Sequence, residues 1–203
     1  MSLTPGHRRP PTLSNPRVQR TRTHILAIAR ELLPGVGPAG LTYALLADRA
    51  KVTRQTLYRH WPTRDNLLSD LMLEGPDVAY PEPSTDVRTV ATAWLTSLRA
   101  GLSDPPTRAA TFAVIAQANY DPDSTQALTR IVEDRHAAFN TLLEPSGRQI
   151  TADEYTLLTA PVLFRLLIEG RKVTDQFIDA VAAQWLTTLN QSDQPQTEES
   201  AKD

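Results

Sequence analysis

The sequence predicts an all-α protein, in which a small N-terminal helix-turn-helix unit of three helices precedes a larger helical body. Apolar residues recur every three or four positions along most of the 203 residues, which is the period of an α-helix. No segment alternates apolar and polar residues as a half-buried strand does. The chain is long enough to bury a sizeable core and to form one or two domains.

The first predicted helix follows a basic arm that is rich in proline. Residues 1–16 contain four prolines and two adjacent arginines, a composition that predicts disorder. From Arg17 onward, isoleucine, leucine and alanine form one apolar stripe at helical spacing. We expect this helix to end at Pro34, because the residue before a proline avoids helical backbone angles.

The most informative stretch is residues 41–61, which predict two short amphipathic helices separated by a break of three or four residues. Each helix has apolar residues on one side, and in the second helix Leu57 and Trp61 lie one turn apart. Thr42 and Thr53 precede the two helices, where a threonine oxygen can accept a hydrogen bond from an unpaired helix amide. This arrangement is typical of a helix-turn-helix.

The second helix of the pair predicts contact with duplex DNA. Its outward side chains are polar and surround only two inward apolar residues. Arginine and glutamine can pair with base edges in the major groove, whereas tyrosine, arginine and histidine suit phosphate oxygens. We predict that Arg54, Gln55 and Thr56 read bases. The predicted phosphate ligands are Thr42, Tyr58, Arg59, His60 and Arg64, and Tyr43 and Thr53 complete the predicted DNA-binding set. A solvated helix face is the alternative interpretation.

These residues resemble the N-terminal signature of the TetR family of bacterial transcriptional regulators, in which A-x-x-A precedes V-[ST]-x-x-T-L-Y-x-[HY]-[FW]-x-[ST]-[KR]-x-x-L. The matching positions are Thr42, Ala47, Ala50, Val52, Thr53, Thr56, Leu57, Tyr58, His60, Trp61, Thr63, Arg64 and Leu67. The resemblance extends from Arg17 to about residue 75. It implies that the first helix supports the motif, with Arg20 and Thr23 near phosphates, and that the protein represses transcription.

Two positions depart from the family pattern. Lys51 occupies the turn position at which the family usually has glycine, and a left-handed backbone there would cost on the order of 1 kcal/mol. Gln55 replaces another common glycine and places a large side chain at the DNA surface. The operator sequence therefore does not follow from the resemblance.

Composition excludes several classes of function. The chain has no cysteine, and its four histidines stand in no metal-ligand spacing, so we predict neither a metal site nor a cofactor. The sequence has no ordered set of nucleophile, base and orienting group and no glycine-rich phosphate loop, so we predict that the protein is not an enzyme. Residues 1–16 lack the apolar core of a signal peptide, and the longest apolar run is too short to span a membrane. We expect a soluble, cytoplasmic protein.

Charge is distributed unevenly along the chain. The net charge is −2, but residues 1–75 carry eleven Lys and Arg against five Asp and Glu, and the remainder is acidic. A basic N-terminal part suits phosphate contact, and an acidic remainder would be repelled by DNA. We therefore predict a disordered arm at 1–16, a DNA-binding domain at 17–62, an effector-binding and dimerisation domain at 63–190 that begins with a connecting helix at 63–75, and a disordered tail at 191–203.

The body carries a candidate pocket for a small molecule. Three amphipathic helices follow a linker at residues 75–84, and the third has polar residues on or beside its apolar stripe. Aromatic walls with a few inward polar groups are typical of a ligand pocket. The candidate lining residues are Trp94, Phe112, Asn119, Tyr120, Arg135, His136, Phe139 and Asn140. For each of them the alternative is a hydrogen-bonded core group or a surface residue at a helix edge.

The last two predicted helices indicate a homodimer. Residues 154–170 are apolar nearly all round, and a helix without a polar face must be covered on both sides. In a body of this size a second subunit can supply one cover, which predicts a four-helix interface around a twofold axis. The predicted interface residues are Leu158, Val162, Arg165, Leu166, Phe177, Ile178, Val181 and Trp185. The alternative is that the two helices form the core of a single chain.

Together these features predict a dimeric, ligand-responsive transcriptional regulator that binds a palindromic operator in double-stranded DNA. Two recognition helices related by a twofold axis would read two half-sites, and a small-molecule effector would release the repressor from the operator. A DNA-binding dimer without such a ligand, acting constitutively or under the control of another protein, is the alternative. An enzyme is the third class.

Overall fold

The computed structural model describes residues 16–73 and 81–192, apart from the side chains of Asp123, Ala127 and Ser192. The described residues are 83% helical and contain no strand, which confirms the predicted all-α class. The predicted disordered arm at 1–16 and tail at 191–203 lie outside the described residues, except that Pro16 begins the first helix and Gln191 and Ser192 end the last one. No helix in the described segments is long and apolar enough to cross a lipid bilayer.

The helices are defined by the following bounds: α1 Pro16–Gly40, α2 Tyr43–Ala50, α3 Arg54–His60, α4 Arg64–Leu73, α5 Val87–Ser103, α6 Pro105–Ala118, α7 Pro122–Leu143, α8 Ala152–Leu163 and α9 Asp175–Ser192. A 3₁₀ turn, Glu144–Ser146, follows α7. A π-helical turn, Phe164–Ile168, continues α8 after Pro161. The order of helices therefore places the helix-turn-helix at α2 and α3.

The first helix does not end at Pro34, contrary to the sequence prediction. Pro34 lies inside α1, close to the end of the helix. It has no N–H to donate to the carbonyl of Arg30, so the helix loses one hydrogen bond there. The break comes instead at Gly37, whose φ of 68° and ψ of 171° suit a residue without a Cβ atom. Pro38 then opens a last helical turn up to Gly40.

The chain divides into two compact units. The first comprises the described part of Met1–Tyr80 together with Ala100–Arg135, and the second comprises Pro81–Arg99 together with the described part of His136–Asp203. Along the sequence, α5 and α7 each pass from one unit to the other. The boundaries of a DNA-binding domain and of an effector domain stay a prediction.

The first unit has one apolar core, to which α1, α2, α3, α4 and α6 all contribute. α6 packs against α1 and α4 and places Ala110 and Val114 in that core. Burying a leucine or isoleucine side chain stabilises the fold by about 1.5–3 kcal/mol. Helices as short as α2 and α3 are unstable alone, so this packing holds them. The largest fully buried side chains of the unit are Ile25, Leu33, Leu41, Leu46, Leu57, Trp61, Leu67, Leu68 and Leu71.

Aromatic rings fill the centre of the second unit. Trp94 lies 5.4 Å from Phe139 and 6.3 Å from Tyr155 between ring centroids, and Phe139 lies 6.1 Å from Trp185. The indole N–H of Trp185 donates to the carbonyl of Glu154 at 2.7 Å and thereby joins α9 to α8. These edge-on contacts are the arrangement that aromatic pairs prefer in cores.

Candidate nucleic-acid interface

Two threonines begin the helices of the helix-turn-helix, as the sequence predicts. Thr42 Oγ1 accepts a hydrogen bond from the amide of Leu45 at 3.2 Å, and Thr53 Oγ1 accepts one from the amide of Thr56 at 3.1 Å. Both cap residues have extended backbone angles. Each cap satisfies an amide that the helix itself cannot pair, which fixes where α2 and α3 begin.

The turn between these helices is made by Lys51. Its φ of 53° and ψ of 43° are left-handed, and it is the one non-glycine residue with positive φ in the described segments. Its amide reaches back to the carbonyls of Ala47 and Asp48 and closes α2. The left-handed conformation expected at this position is therefore present, on a residue for which it costs about 1–2 kcal/mol.

The recognition helix α3 is attached to the core by two side chains. Leu57 is fully buried and Trp61, the residue that closes the helix, is 1% exposed. The Trp61 indole Nε1 donates to Asp70 Oδ2 at 2.6 Å, and Arg22 donates to the same oxygen at 2.6 Å. The opposite side of α3 therefore points outward.

The outward side of α3 carries the residues predicted to contact DNA. Arg54, Gln55 and Arg59 are exposed, Tyr58 is 56% exposed, and Thr56 and His60 are half-buried. Burial lowers the pKa of His60 below its ordinary value of 6.5, and the neighbouring charges of Arg22 and Arg59 lower it further. A phosphate beside His60 would oppose that shift, because a nearby negative charge favours the protonated ring.

Tyr43 is half-buried, although it belongs to the predicted DNA-binding set. Its hydroxyl lies 2.7 Å from the carbonyl oxygens of both Trp61 and Thr63 and can donate to one of them at a time. Its ring meets the edge of the Tyr58 ring at 4.8 Å between centroids. Burial, followed by the charges of Tyr58 and Asp65, raises the pKa of Tyr43 to about 12. Tyr43 therefore supports Tyr58 and the turn after α3.

The start of α4 completes this surface. Thr63 Oγ1 accepts from the amide of Asn66 at 3.2 Å, and Asn66 Oδ1 accepts from the amide of Thr63 at 3.2 Å, so the two residues cap the start of α4 reciprocally. The exposed guanidinium of Arg64 donates to the carbonyl of Ala39 at 3.3 Å. Arg64 thus links α4 to the end of α1 and still faces solvent.

Sequence reasoning missed Asp70 and the partner that it holds on α1. That partner is Arg22. The two residues are 48 positions apart, so no helical or strand spacing connects them. In residues 16–73 and 81–192, no three His, Asp or Glu side chains come close enough together to hold a metal ion.

Two family models match the chain. The model of the bacterial regulatory proteins of the tetR family matches residues 25–71, and the model of the tetracyclin repressor-like C-terminal domain matches residues 81–185. The second match alone covers more than half of the chain.

The chain belongs to the TetR family. It is therefore a DNA-binding transcriptional regulator with a helix-turn-helix.

Curated relatives and solved structures agree with the TetR assignment. The uncharacterized HTH-type transcriptional regulator YdeS of Bacillus subtilis is 27% identical over 179 residues, which cover 80% of this chain and 86% of that protein. The uncharacterized HTH-type regulator Rv1556 of Mycobacterium tuberculosis is 27% identical over 172 residues, covering 78% and 82%. The TetR family regulator SCO0332 has a similar fold, with a TM-score of 0.62, 24% identity and coverage of 83% and 97%. Salmonella enterica GusR has a TM-score of 0.61, 18% identity and coverage of 89% and 100%.

The predicted pocket residues of this TetR chain divide between the two units. Trp94, His136, Phe139 and Asn140 lie in the second unit, and the other four lie in the first. The residues of the first unit are Phe112, which is 43% exposed, Asn119, Tyr120, which is 87% exposed, and the half-buried Arg135. Asn119 and Tyr120 help to line a shallow surface depression of about 450 Å³ at the turn between α6 and α7.

The polar pocket candidates of the second unit bind the protein backbone. His136 Nε2 lies 2.8 Å from the carbonyl oxygen of Ile150, and Asn140 Nδ2 donates to that oxygen at 3.1 Å. The amide of Ile150 donates to Asn140 Oδ1 at 2.9 Å. Trp94 and Phe139 are 2% and 0% exposed and contact each other, with 5.4 Å between their ring centroids. The geometry supports the alternative of hydrogen-bonded core groups, and ligand contact by these residues stays a prediction.

The predicted dimer interface needs a correction. The structure buries Leu158, Val162, Leu166, Ile178 and Trp185 inside the single chain, where each is at most 7% exposed and offers little surface to a second copy. Their burial follows from the packing of α8 on α9. An apolar pattern all round a helix does not say which side faces its own chain.

The remaining interface candidates are partly covered. The guanidinium of Arg165 stacks on the Phe177 ring at 4.0 Å, and Val181 and Phe177 are half-buried. The exposed apolar side chains of this region are instead Leu157, Phe164 and Ile168, at 57%, 56% and 69%. Sequence reasoning did not select these three residues for the interface.

Proposed function

We propose that this TetR-family protein is a homodimeric repressor that binds a palindromic operator through the outward face of α3. The observation that carries the proposal is the contrast between the two sides of that helix. Leu57 and Trp61 are buried, whereas Arg54, Gln55 and Arg59 are exposed and have the donors that base edges and phosphates accept. We assign base contacts to Arg54, Gln55 and Thr56.

Phosphate contacts are assigned to the residues around α3. Tyr58, Arg59 and His60 lie on its outward face, and the exposed Arg64 and Thr42 begin the neighbouring helices. Tyr43 and Thr53 act by supporting this surface, because the Tyr43 hydroxyl donates to a backbone carbonyl and Thr53 Oγ1 shares a hydrogen bond with Thr56 Oγ1. Phosphate contacts fix the register of the protein on the duplex and carry no sequence preference themselves.

The dimer is supported by exposed apolar side chains on α8 and on the π-helical turn that continues it. Leu157, Phe164 and Ile168 are each more than half exposed in the single chain. A second copy related by a twofold axis would cover the same three residues on both subunits. The same axis would place two copies of α3 on two half-sites of a palindrome.

Release by a small molecule is supported by the packing of α6 within the first unit. α6 lies against both α1 and α4, so a displacement of α6 would be transmitted to the helices that carry the DNA surface. An effector would need different affinities for the two arrangements, since a ligand with equal affinity for both shifts nothing. Its chemical class is open in this proposal.

A DNA-binding dimer without a small-molecule ligand is the second candidate. The aromatic centre of the second unit is filled by Trp94, Phe139, Tyr155 and Trp185. Because these side chains fill the centre of the second unit, its packing favours a structural role over a role as a ligand-binding cavity. Thermal unfolding against a diverse metabolite library separates the two candidates, because a ligand of the folded state raises the melting temperature by mass action.

The experiment that tests the DNA-binding proposal is selection of bound duplexes from random sequence, followed by titration of the enriched duplex. We expect an enriched palindrome, bound by two copies of the chain. Selection without enrichment, or binding by a single copy with a non-palindromic sequence, would contradict the proposal. Light scattering of the protein and its complex gives the number of copies.

A further inference from the structure

One carboxylate oxygen in the first unit receives hydrogen bonds from two different helices. Asp70 Oδ2 of α4 accepts from the Trp61 indole at 2.6 Å and from Arg22 Nη2 of α1 at 2.6 Å. The side chains of Arg22 and Asp70 are 24% and 28% exposed, so water screens the pair only partly. The Arg22 guanidinium also lies 5.9 Å from the centre of the Trp61 ring.

This contact stands at the C-terminal end of α3. α3 has seven residues, and its start is fixed by the cap at Thr53. Within the helix only Leu57 is buried, so the rotation of so short a helix also depends on Trp61, which directly follows it and is 1% exposed. Trp61 closes the helix, and its indole N–H is directed to α4.

We propose that Asp70 is a positioning residue for base recognition, in that it holds the rotation of α3 through the Trp61 indole and the Arg22 guanidinium. Asp70 acts through these two side chains and makes no contact with DNA itself. The inference rests on the proposed function, because it concerns how that surface discriminates between sequences. A small rotation of α3 would displace Arg54 and Gln55 relative to base edges, whereas flexible phosphate ligands would still reach the backbone.

This role has a signature that a purely structural role lacks. Loss of Asp70 should lower the affinity for the selected duplex and leave the affinity for a scrambled duplex unchanged or slightly raised. General destabilisation of the fold would lower both affinities together. The ratio of the two affinities is therefore the quantity to measure, at one fixed salt concentration, because phosphate contacts depend steeply on salt.

The variants are Asp70→Ala, Asp70→Asn and the control Asp48→Asn. Asp70→Asn keeps an oxygen that can accept the indole N–H but removes the charge that faces Arg22. Asp48 lies exposed on α2, so Asp48→Asn removes one negative charge from the same unit without touching Trp61. It controls for the rise in phosphate affinity that any loss of negative charge produces.

We expect Asp70→Ala to reduce the affinity ratio by about tenfold, the scale of one charged hydrogen bond, and Asp70→Asn to reduce it less. Asp48→Asn should leave the ratio unchanged. If Asp70→Ala does not fold, the affinity ratio of Asp70→Asn is compared with that of the unsubstituted protein instead. The Nε1–H resonance of Trp61, assigned by its loss in Trp61→Phe, should shift in each Asp70 variant and stay in place in Asp48→Asn.

An unchanged ratio in folded Asp70 variants, with normal binding by the unsubstituted protein, would overturn this inference alone. An equal loss of affinity for both duplexes would overturn it as well. Failure of the unsubstituted protein to bind any duplex would overturn the proposed function and this inference together.

Discussion

Arg30 of α1 binds Asp104, the residue that caps α6, at 2.5 Å between Nη2 and Oδ2. The same guanidinium donates to the carbonyl of Leu71 in α4 at 3.2 Å and to the hydroxyl of Thr107 at 3.2 Å. One side chain therefore joins three helices of the first unit. Through the Arg30 side chain, a displacement of α6 would be transmitted to α1 and α4.

The Asp104 carboxylate predicts a dependence of stability on pH. Burial alone would raise the pKa of Asp104, but hydrogen bonds from Thr107 and the charge of Arg30 lower it below 3.8. A carboxylate with a lowered pKa stabilises the folded state above its unfolded pKa, and this contribution is lost as pH falls through the folded pKa. Asp104→Asn keeps a capping oxygen and should reduce the free energy of unfolding by about 1–3 kcal/mol at pH 7.

Urea unfolding at pH 7 and at pH 3 measures this difference. We expect the gap between Asp104→Asn and the unsubstituted protein to shrink at pH 3. Asp48→Asn, which removes an exposed carboxylate, should change stability by less than about 0.5 kcal/mol at pH 7. A gap for Asp104→Asn that stays constant from pH 7 to pH 3 would contradict the role assigned to the charge.

The left-handed turn at Lys51 predicts that glycine stabilises the protein. Lys51→Gly removes a steric cost of about 1–2 kcal/mol but increases the freedom of the unfolded chain, which offsets part of the gain. We expect the free energy of unfolding to rise by up to about 1 kcal/mol. Arg49→Gly, at an exposed helical position two residues earlier, should instead lower it by about 1 kcal/mol. Urea unfolding of both variants checks the prediction, and destabilisation by Lys51→Gly would be inconsistent with it.

Arg54 and Tyr58 should differ in the kind of binding that they provide. Arg54→Ala should reduce discrimination at one or two base pairs by about 1–3 kcal/mol, because a base contact is lost. Tyr58→Phe should weaken binding to all sequences alike, because only a phosphate ligand is lost. Titration of single-substitution duplexes by each variant measures both effects. The reverse pattern would overturn the two assignments.

His60 should make DNA binding stronger at lower pH. The pKa of His60 is lowered in the free protein by burial and by Arg22 and Arg59, and a phosphate beside it would raise that pKa in the complex. The complex then takes up a proton, so affinity rises as pH falls from 7.5 to 5.5, by at most about tenfold for each unit of pKa difference. His60→Gln should abolish this rise.

His24 supplies the control for the pH experiment. Its Nε2 atom lies 3.2 Å from the carbonyl oxygen of Ala50, at the end of α2, and it has no assigned phosphate. His24→Gln should therefore keep the pH dependence of the unsubstituted protein. A flat profile for the unsubstituted protein would show that His60 takes up no proton on binding.

The exposed apolar residues of the π-helical turn after α8 predict which substitutions separate the dimer. Phe164→Glu together with Ile168→Glu should convert the dimer to a monomer, because two charges would be buried in an apolar interface. Phe112→Glu is the matched control, since Phe112 is a 43% exposed phenylalanine in the first unit. Light scattering at a fixed protein concentration measures the mass of each variant. A dimer that survives both glutamates would place the interface elsewhere.

Local features of the helix-turn-helix could be predicted from sequence because neighbouring residues create them. The caps at Thr42 and Thr53 and the buried pair Leu57 and Trp61 depend on spacings of three or four residues. The left-handed turn at Lys51 followed from its place in the TetR pattern.

Features that depend on distant partners could not be predicted in this way. Asp70 takes its role from Arg22 and Trp61, and only the packing of α1, α3 and α4 brings the three together. The covered side of α8 could not be deduced either, because its sequence is apolar nearly all round. His136 appeared as a pocket residue because the sequence does not reveal that it lies beside the carbonyl of Ile150.

The most direct test is a fluorescence-anisotropy titration of the purified protein with duplex DNA at low salt, using the selected duplex and a scrambled one. We expect tight binding to the selected duplex, weaker binding to the scrambled one, and a steep loss of both as salt is raised. A protein that leaves the anisotropy of every duplex unchanged at low salt would contradict the claim that the face of α3 binds nucleic acid.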